Sequence, residues 1–485
     1  MKRGAALLSL LATACSTMDP SYVRPDPAIP ASWPVGEPYV AQAEVGLPVL
    51  TYQQVFQDPR LQALIAQALV NNRDLMVAAS NIAAAREQYR IQRAQQLPTV
   101  NASTGITATG DRDDKVSLGY EAGVGVPSFE IDLFGRVRSL TKVQLQRYLA
   151  TEAGARATRL SLVAAVASAW LDHAADASLR LIAEQTAASA RKSVSLTRIR
   201  LEGGIAPRTD LRQAEQILSS AEADLARQRT AVAQDVNALQ LLVGSPIDAK
   251  LLAGSIEDAF GKIAPVPTGL DSYVLLRRPD VLQAEYQLRA ANAQIGVARA
   301  ALFPRITLTG LLGFASTALT GLFTGGTFGW SAATDATYTI FQGGAGHANV
   351  RLSEAQRNAA VASYQGAIQT AFREVADALA RRGTINAEIA ARQRSQAAAA
   401  DNYTLTEARY RAGIDPFLTV LVAQRSYYTA QQQLVQTRLD AAQNLVTLYR
   451  TIGGDTLLKT TPVCQSLPGD NNASSAKVAN QCSPA

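Results

Sequence analysis

The chain carries the same long pattern twice, and this duplication limits the folds open to it more than any other feature. Leu97-Pro98 opens one copy and Phe303-Pro304 the other, each after an Ala/Arg/Gln-rich helical stretch. Two alternating strands follow, then a long proline-free helix that ends at Gly-Ile-x-Pro: Gly204-Ile205-Ala206-Pro207 and Gly413-Ile414-Asp415-Pro416. A further helix runs to Val243-Gly244 in one copy and to Ile452-Gly453 in the other. The offset holds at roughly 206 to 209 residues throughout, too steady for chance.

Each copy therefore predicts a helix, a hairpin, a very long helix and a shorter one. The first repeat spans 57–262, with a hairpin at about 98–134, a long helix over 137–203 and a helix over 208–243. The second spans 263–455, with helices over 279–302, 344–412 and 416–453 and a hairpin at about 304–342. Residues 16–56 hold seven prolines, from Pro20 to Pro48, and predict an extended arm or linker. Asp58 before Pro59 predicts a helix start, and Asn71-Asn72 an interruption. Residues 456–485 form a Ser/Asn/Pro-rich tail.

The strands give the clearest local signal. Val100, Ala102, Thr104, Ile106 and Ala108 alternate with small polar residues, as do Val116, Leu118, Tyr120, Ala122, Val124 and Val126. After Pro127 the apolar phase flips to Phe129, Ile131 and Leu133, which predicts a bulge or a barrel rim. In the second copy Ile306, Leu308, Leu312 and Phe314, then Phe328, Trp330, Ala332, Ala336, Tyr338 and Ile340, form the apolar sets. Strands of about 10 residues with this pattern suit a tilted crossing of a bilayer. A soluble hairpin packed on a core is the alternative. Against it, the polar face is Gly/Ser/Thr with few charges, and the chain offers no further strands for pairing.

Four spanning strands leave open edges, which lipid does not tolerate. Several chains must then share one barrel: two would supply about eight strands and three about twelve, and only the wider barrel leaves room for a pore. The long helices reach on the order of 100 Å each at ~1.5 Å per residue. Two shorter helices stacked end to end would match one long one and build a wall of antiparallel helices.

Bulk properties exclude several classes. The net charge of +6 is mild, and basic residues are interspersed with acidic ones, as on solvated helix faces rather than a nucleic-acid surface. No run of 18 or more apolar residues follows the N-terminus, so no transmembrane helix is expected. His173 and His347 stand isolated, which argues against a metal site, and no nucleophile–base constellation or phosphate loop argues for an enzyme. No cofactor is expected beyond a covalent lipid.

Residues 1–15 have the form of an export signal: Lys2-Arg3, an apolar stretch from Ala5 to Leu11, then Ala12-Thr13-Ala14 before Cys15. This resembles a bacterial lipoprotein signal, with Cys15 as the lipidated mature N-terminus, although Ala12 stands where Leu is usual. Cleavage as a plain signal peptide near Ala14 is the alternative. Cys464 and Cys482 remain, and in an exported chain they either pair as a disulfide or stay free.

Several stretches together resemble TolC-like outer membrane efflux factors, in the lipoprotein (NodT-type) branch that serves resistance-nodulation-division pumps. They are Asn71-Asn72-Arg73-Asp74-Leu75, Tyr89-Arg90-Ile91, Phe129-Glu130-Ile131-Asp132-Leu133-Phe134-Gly135-Arg136, Arg277-Arg278-Pro279-Asp280, Ala290-Ala291-Asn292-Ala293 and Ala423-Gln424-Arg425. The resemblance covers about residues 18–455. It implies an α+β fold in which three chains, four strands each, share a membrane barrel continued by an antiparallel α-helical barrel. It implies a homotrimer anchored in outer membrane lipid, meeting a periplasmic adaptor and an inner-membrane resistance-nodulation-division pump. Such a protein is a passive duct for drugs or other small toxic compounds. A type I secretion duct and a non-conducting periplasmic coiled-coil protein are the alternative readings.

The resemblance also implies a gate at the helix tips, at Thr209, Asp210, Tyr410, Asp415, Leu418, Thr419 and Val422, with an Asp210–Tyr410 hydrogen bond holding it shut. Plain packing of helices, or helix capping by Asp210, is the bland account of the same residues. Val422 stands where family members commonly carry an acid and Thr419 where some do, so an aperture narrowed by Leu418 and Val422 would resist ions by dewetting.

Overall fold

The structure is a computed structural model and describes residues 17–30, 32–39, 51–110, 116–265 and 272–454. Helices α1 (Tyr52–Val55), α2 (Pro59–Asn71) and α3 (Arg73–Ala94) lead into strands β1 (Asn101–Gly110) and β2 (Val116–Glu130). Then come α4 (Arg136–Glu202), α5 (Arg208–Val243), α6 (Ile256–Phe260) and α7 (Pro279–Ala300). The second copy continues with β3 (Arg305–Ser316), β4 (Phe328–Thr337), α8 (Ala345–Arg411) and α9 (Phe417–Thr451). Helices α4 and α8 each have 67 residues. Each copy runs helix, hairpin, 67-residue helix and shorter helix in that order. Two expectations shift. Tyr52–Val55 is a short helix inside the proline-rich stretch, and β4 stops at Thr337, so Tyr338 and Ile340 lie beyond it.

The chain divides into two compact units. One comprises the chain up to Pro27, Ser80–Ala153 and Leu282–Ala367, and it contains the sheet. Its four strands pair antiparallel in the order β1-β2-β3-β4, leaving β1 and β4 as free edges. Pairing places Ala102, Val124, Leu312 and Trp330 in one row across the sheet, and Thr104, Ala122, Phe314 and Phe328 in the next row on that face. The opposite face carries the rows Ser103, Gly123, Gly313, Gly329 and Asn101, Gly125, Leu311, Ser331. One face is therefore apolar and the other small and polar. The register slips between Val126 and Phe129, which face Gly310 and Leu308. That one-residue bulge at Pro127 brings Phe129 back to the apolar face despite the phase flip. The apolar face is uncovered: Ile106, Val116, Leu118, Val124, Leu312, Phe328 and Trp330 (73% exposed) all remain open.

At the base of the sheet, Glu130 holds Arg136 in a two-point pair at 2.8 and 2.7 Å and accepts from Arg305 at 2.7 Å. Asp132 accepts from the Val137 and Arg138 amides, capping α4 at a helix end that would otherwise leave donors unpaired. The arm docks on this unit rather than hanging free. Lys142 pairs with Asp19, Asn292 donates to the Pro20 carbonyl, and Tyr22, Arg24 and Arg289 converge on Glu285, itself 2% exposed.

The second unit comprises Ala28–Ala79, Gly154–Val281 and the chain from Ile368 onward. Its core packs Phe56, Leu64, Ile65, Trp170, Leu239 and Tyr449, all nearly free of solvent. Here the end-to-end stacking is visible at both joints. Asn72, just before α3, donates to the Leu242 carbonyl at the end of α5, and a Cβ at Gly244 would strike the Asn71 carbonyl. Arg278, just before α7, donates to the Thr451 carbonyl at the end of α9 while paired with Asp280 and Glu374.

Candidate functional site

The tip of the second unit is built by two copies of one turn. Gly204 (φ 72°) and Gly413 (φ 77°) take the left-handed conformation that ends each long helix. The Ile205 amide donates back to the Arg200 carbonyl at 2.8 Å, and the Ile414 amide to the Arg409 carbonyl at 2.9 Å, so the two turns close alike. Pro207 and Pro416 then start α5 and α9. Asp210 falls in the first turn of α5, where a carboxylate favours the helix dipole, and Thr419 holds the equivalent place in α9.

Beneath the turns lies an apolar cluster of Val194, Leu211, Ala214, Tyr410, Phe417, Val420 and Leu421. Tyr410, 5% exposed, packs in it against Phe417 with ring centroids 5.2 Å apart. The Arg200 guanidinium sits 4.6 Å from the Tyr410 ring centre and donates to the Tyr410 carbonyl at 3.1 Å. Arg200 thereby ties the end of α4 to the end of α8. Arg409, its counterpart in the second copy, instead forms a two-point pair with Asp415 at 2.7 and 2.9 Å.

Of the seven sequence-derived gate residues, the structure gathers Tyr410 into this cluster and binds Asp415 to Arg409. Thr209, Leu418 (57% exposed), Thr419 and Val422 (56%) are exposed. The expected Asp210–Tyr410 hydrogen bond is not made. The Tyr410 hydroxyl is buried without a partner among the described residues, because its ring is held by Phe417 and Arg200. Arg200 was invisible in the sequence, where it is one arginine among many on a long helix. Only its place at the repeat-equivalent of Arg409 sets it apart. Cys15, Cys464 and Cys482 lie outside the described residues.

Deeper in the same unit, Asp172 and Asp176 of α4 meet Asp235 of α5. Burial and the Asp176 and Asp172 charges push Asp235 up to about 7, and one of its oxygens is buried without a partner. No group able to hold a metal occurs among the described residues.

An open sheet with one bare apolar face, on a chain of very long helices, defines a membrane-inserted export channel. Residues 64–245 and 271–454 match the family model "Outer membrane efflux protein", one match for each repeat. The chain belongs to that family, whose members are ducts rather than enzymes. It is 42% identical over 465 residues to the toluene efflux pump outer membrane protein TtgC of Pseudomonas putida, covering 93% of this chain and 95% of the relative. Identity and coverage are the same for the antibiotic efflux pump outer membrane protein ArpC of that species. The MtrE outer membrane channel of Neisseria gonorrhoeae superposes with a TM-score of 0.83 at 35% identity, over 91% of this chain and 99% of the other.

Proposed function

We infer that three copies of this chain form the outer membrane channel of a tripartite efflux pump, carrying small toxic organic compounds out of a Gram-negative cell. The observation that carries this reading is the four-stranded sheet with two free edges and an uncovered apolar face. Unpaired edge groups in lipid cost several kcal/mol each, so the edges must close on other chains. Three chains give about twelve strands and a lumen lined by the Gly/Ser/Thr face. The joints Asn72–Leu242 and Arg278–Thr451 within the second unit, with the two long helices, support a wall of helices that serves a periplasmic adaptor and an inner-membrane pump. That TtgC and ArpC are named for toluene and antibiotics supports small organic cargo.

The tips then form the gate. Arg200 and the Tyr410 ring hold the helix pairs together, while exposed Leu418 and Val422 narrow the aperture with apolar surface. Cys15 carries the lipid that anchors the mature chain beside the barrel. In planar bilayers the purified protein is expected to conduct weakly when the tips are closed. Arg200→Ala, which removes the tie between α4 and α8, is expected to raise conductance severalfold. A protein that never conducts in either form contradicts the reading.

A further inference from the structure

We propose that Glu121 sets the charge selectivity of the duct from within its membrane barrel, favouring cations; this rests on the three-chain barrel above. Glu121 stands opposite Gly105 on β1 and Ala315 on β3, which places it on the polar face that looks into the lumen. It is exposed and makes no ion pair or hydrogen bond among the described residues.

Every other charge on the described polar face lies at its base. There Arg305 and Arg136 are both bound to Glu130, and Asp335, exposed, stands across Thr307 from Glu130. The turn 111–115 lies outside the described residues, but its three Asp, one Arg and one Lys sum to no positive charge. Beyond the base, Glu121 is thus the one charged side chain on the described polar face.

Its surroundings leave it facing water. The next row is Ser103, Gly123, Gly313 and Gly329, almost bare of side chains, and it floors a depression of about 290 Å³ walled by Glu121 and Leu311. Leu311, the large apolar exception on this face, lies over Gly123 and Gly125 instead of filling the lumen.

Three chains would place three such carboxylates at one level. A twelve-stranded barrel has a backbone radius of roughly 12 Å from strand spacing and tilt. A glutamate reaching inward then comes within about one Debye length of the axis, ~8 Å at physiological salt. Rings of acidic side chains select cations in this way, and the effect must fade as salt rises. At the tips, Leu418, Thr419 and Val422 are uncharged and Asp415 is paired with Arg409, so Asp210 is the one gate carboxylate left to act beside Glu121.

The test is the reversal potential of the full-length protein in planar bilayers under a KCl gradient, at about 10 mM and about 1 M mean salt. Wild type is expected to favour potassium at low salt and to lose most of that preference at high salt. Glu121→Gln, nearly isosteric at an exposed position, should cut the preference at least twofold with unchanged conductance, and Glu121→Lys should invert it. A conducting trimer whose reversal potential ignores both substitutions overturns this assignment and leaves the barrel standing. A wild type that assembles no conducting trimer overturns the barrel as well.

Discussion

Tyr410 separates two chemistries that a sequence cannot. The family resemblance implied a hydrogen-bonding clamp here, yet its hydroxyl has no partner among the described residues and its ring does the holding, against Phe417 and Arg200. Tyr410→Phe is therefore expected to leave bilayer conductance and thermal stability unchanged. Tyr410→Ala, which empties a buried site, should cost ~3–5 kcal/mol locally and raise conductance. A Phe variant that opens the channel would restore the hydroxyl to the gate. Asp235 gives a second prediction at this scale. Its folded-state pKa, about 7, lies above its ordinary 3.8, so the folded protein binds the proton more tightly than the unfolded chain. The stability it permits is present in full below about pH 4 and declines as pH rises toward 7. Because Asp235 is only partly buried, the loss is discounted to ~1–2 kcal/mol. Asp235→Asn should flatten thermal stability between pH 5 and pH 8. A variant as pH-sensitive as wild type would contradict the raised Asp235 pKa as the cause. Neither Asp235 nor Arg200 was legible beforehand, since each acts through partners on other helices.

Local pattern carried further at the scale of elements. Alternation located all four strands, and the phase flip at Pro127 announced the bulge that keeps Phe129 on the apolar face. It overran at β4, because Tyr338 and Ile340 continue the alternation while the ladder ends at Thr337. Periodicity records side-chain faces, and pairing partners decide where a strand stops. The long helices were legible from the absence of proline, and their stacking from matched lengths. The side chains that make the joints, Asn72 and Arg278, became identifiable only with the backbone in place. Close approach of β2 and β3 gives the prediction here. A Cβ at Gly313 would lie 2.5 Å from the Ala122 carbonyl oxygen and 2.7 Å from the Gly123 Cα. Gly313→Val is expected to break this pairing and abolish recovery of folded protein from outer membranes, whereas Gly329→Ala, facing open space, should be recovered normally. Equal recovery of both would show that the strands can part at no cost.

For the whole molecule, the duplication becomes a way to build symmetry cheaply. Each copy contributes one hairpin, one long helix and one stacked pair, so the three chains proposed above would supply six near-equivalent staves. The copies diverge at their turns: Asp210 faces Thr419 in the repeat alignment, and Arg200 bridges while Arg409 pairs locally. Family and fold were legible in the sequence because duplication and alternation are patterns along one chain. Closure of the proposed barrel would be a property of several chains, and it is argued from two free strand edges that lipid cannot accept. The most direct measurement is the native mass of the detergent-extracted complex. Three chains per particle is the predicted result, and a particle of one or two chains would contradict the shared barrel.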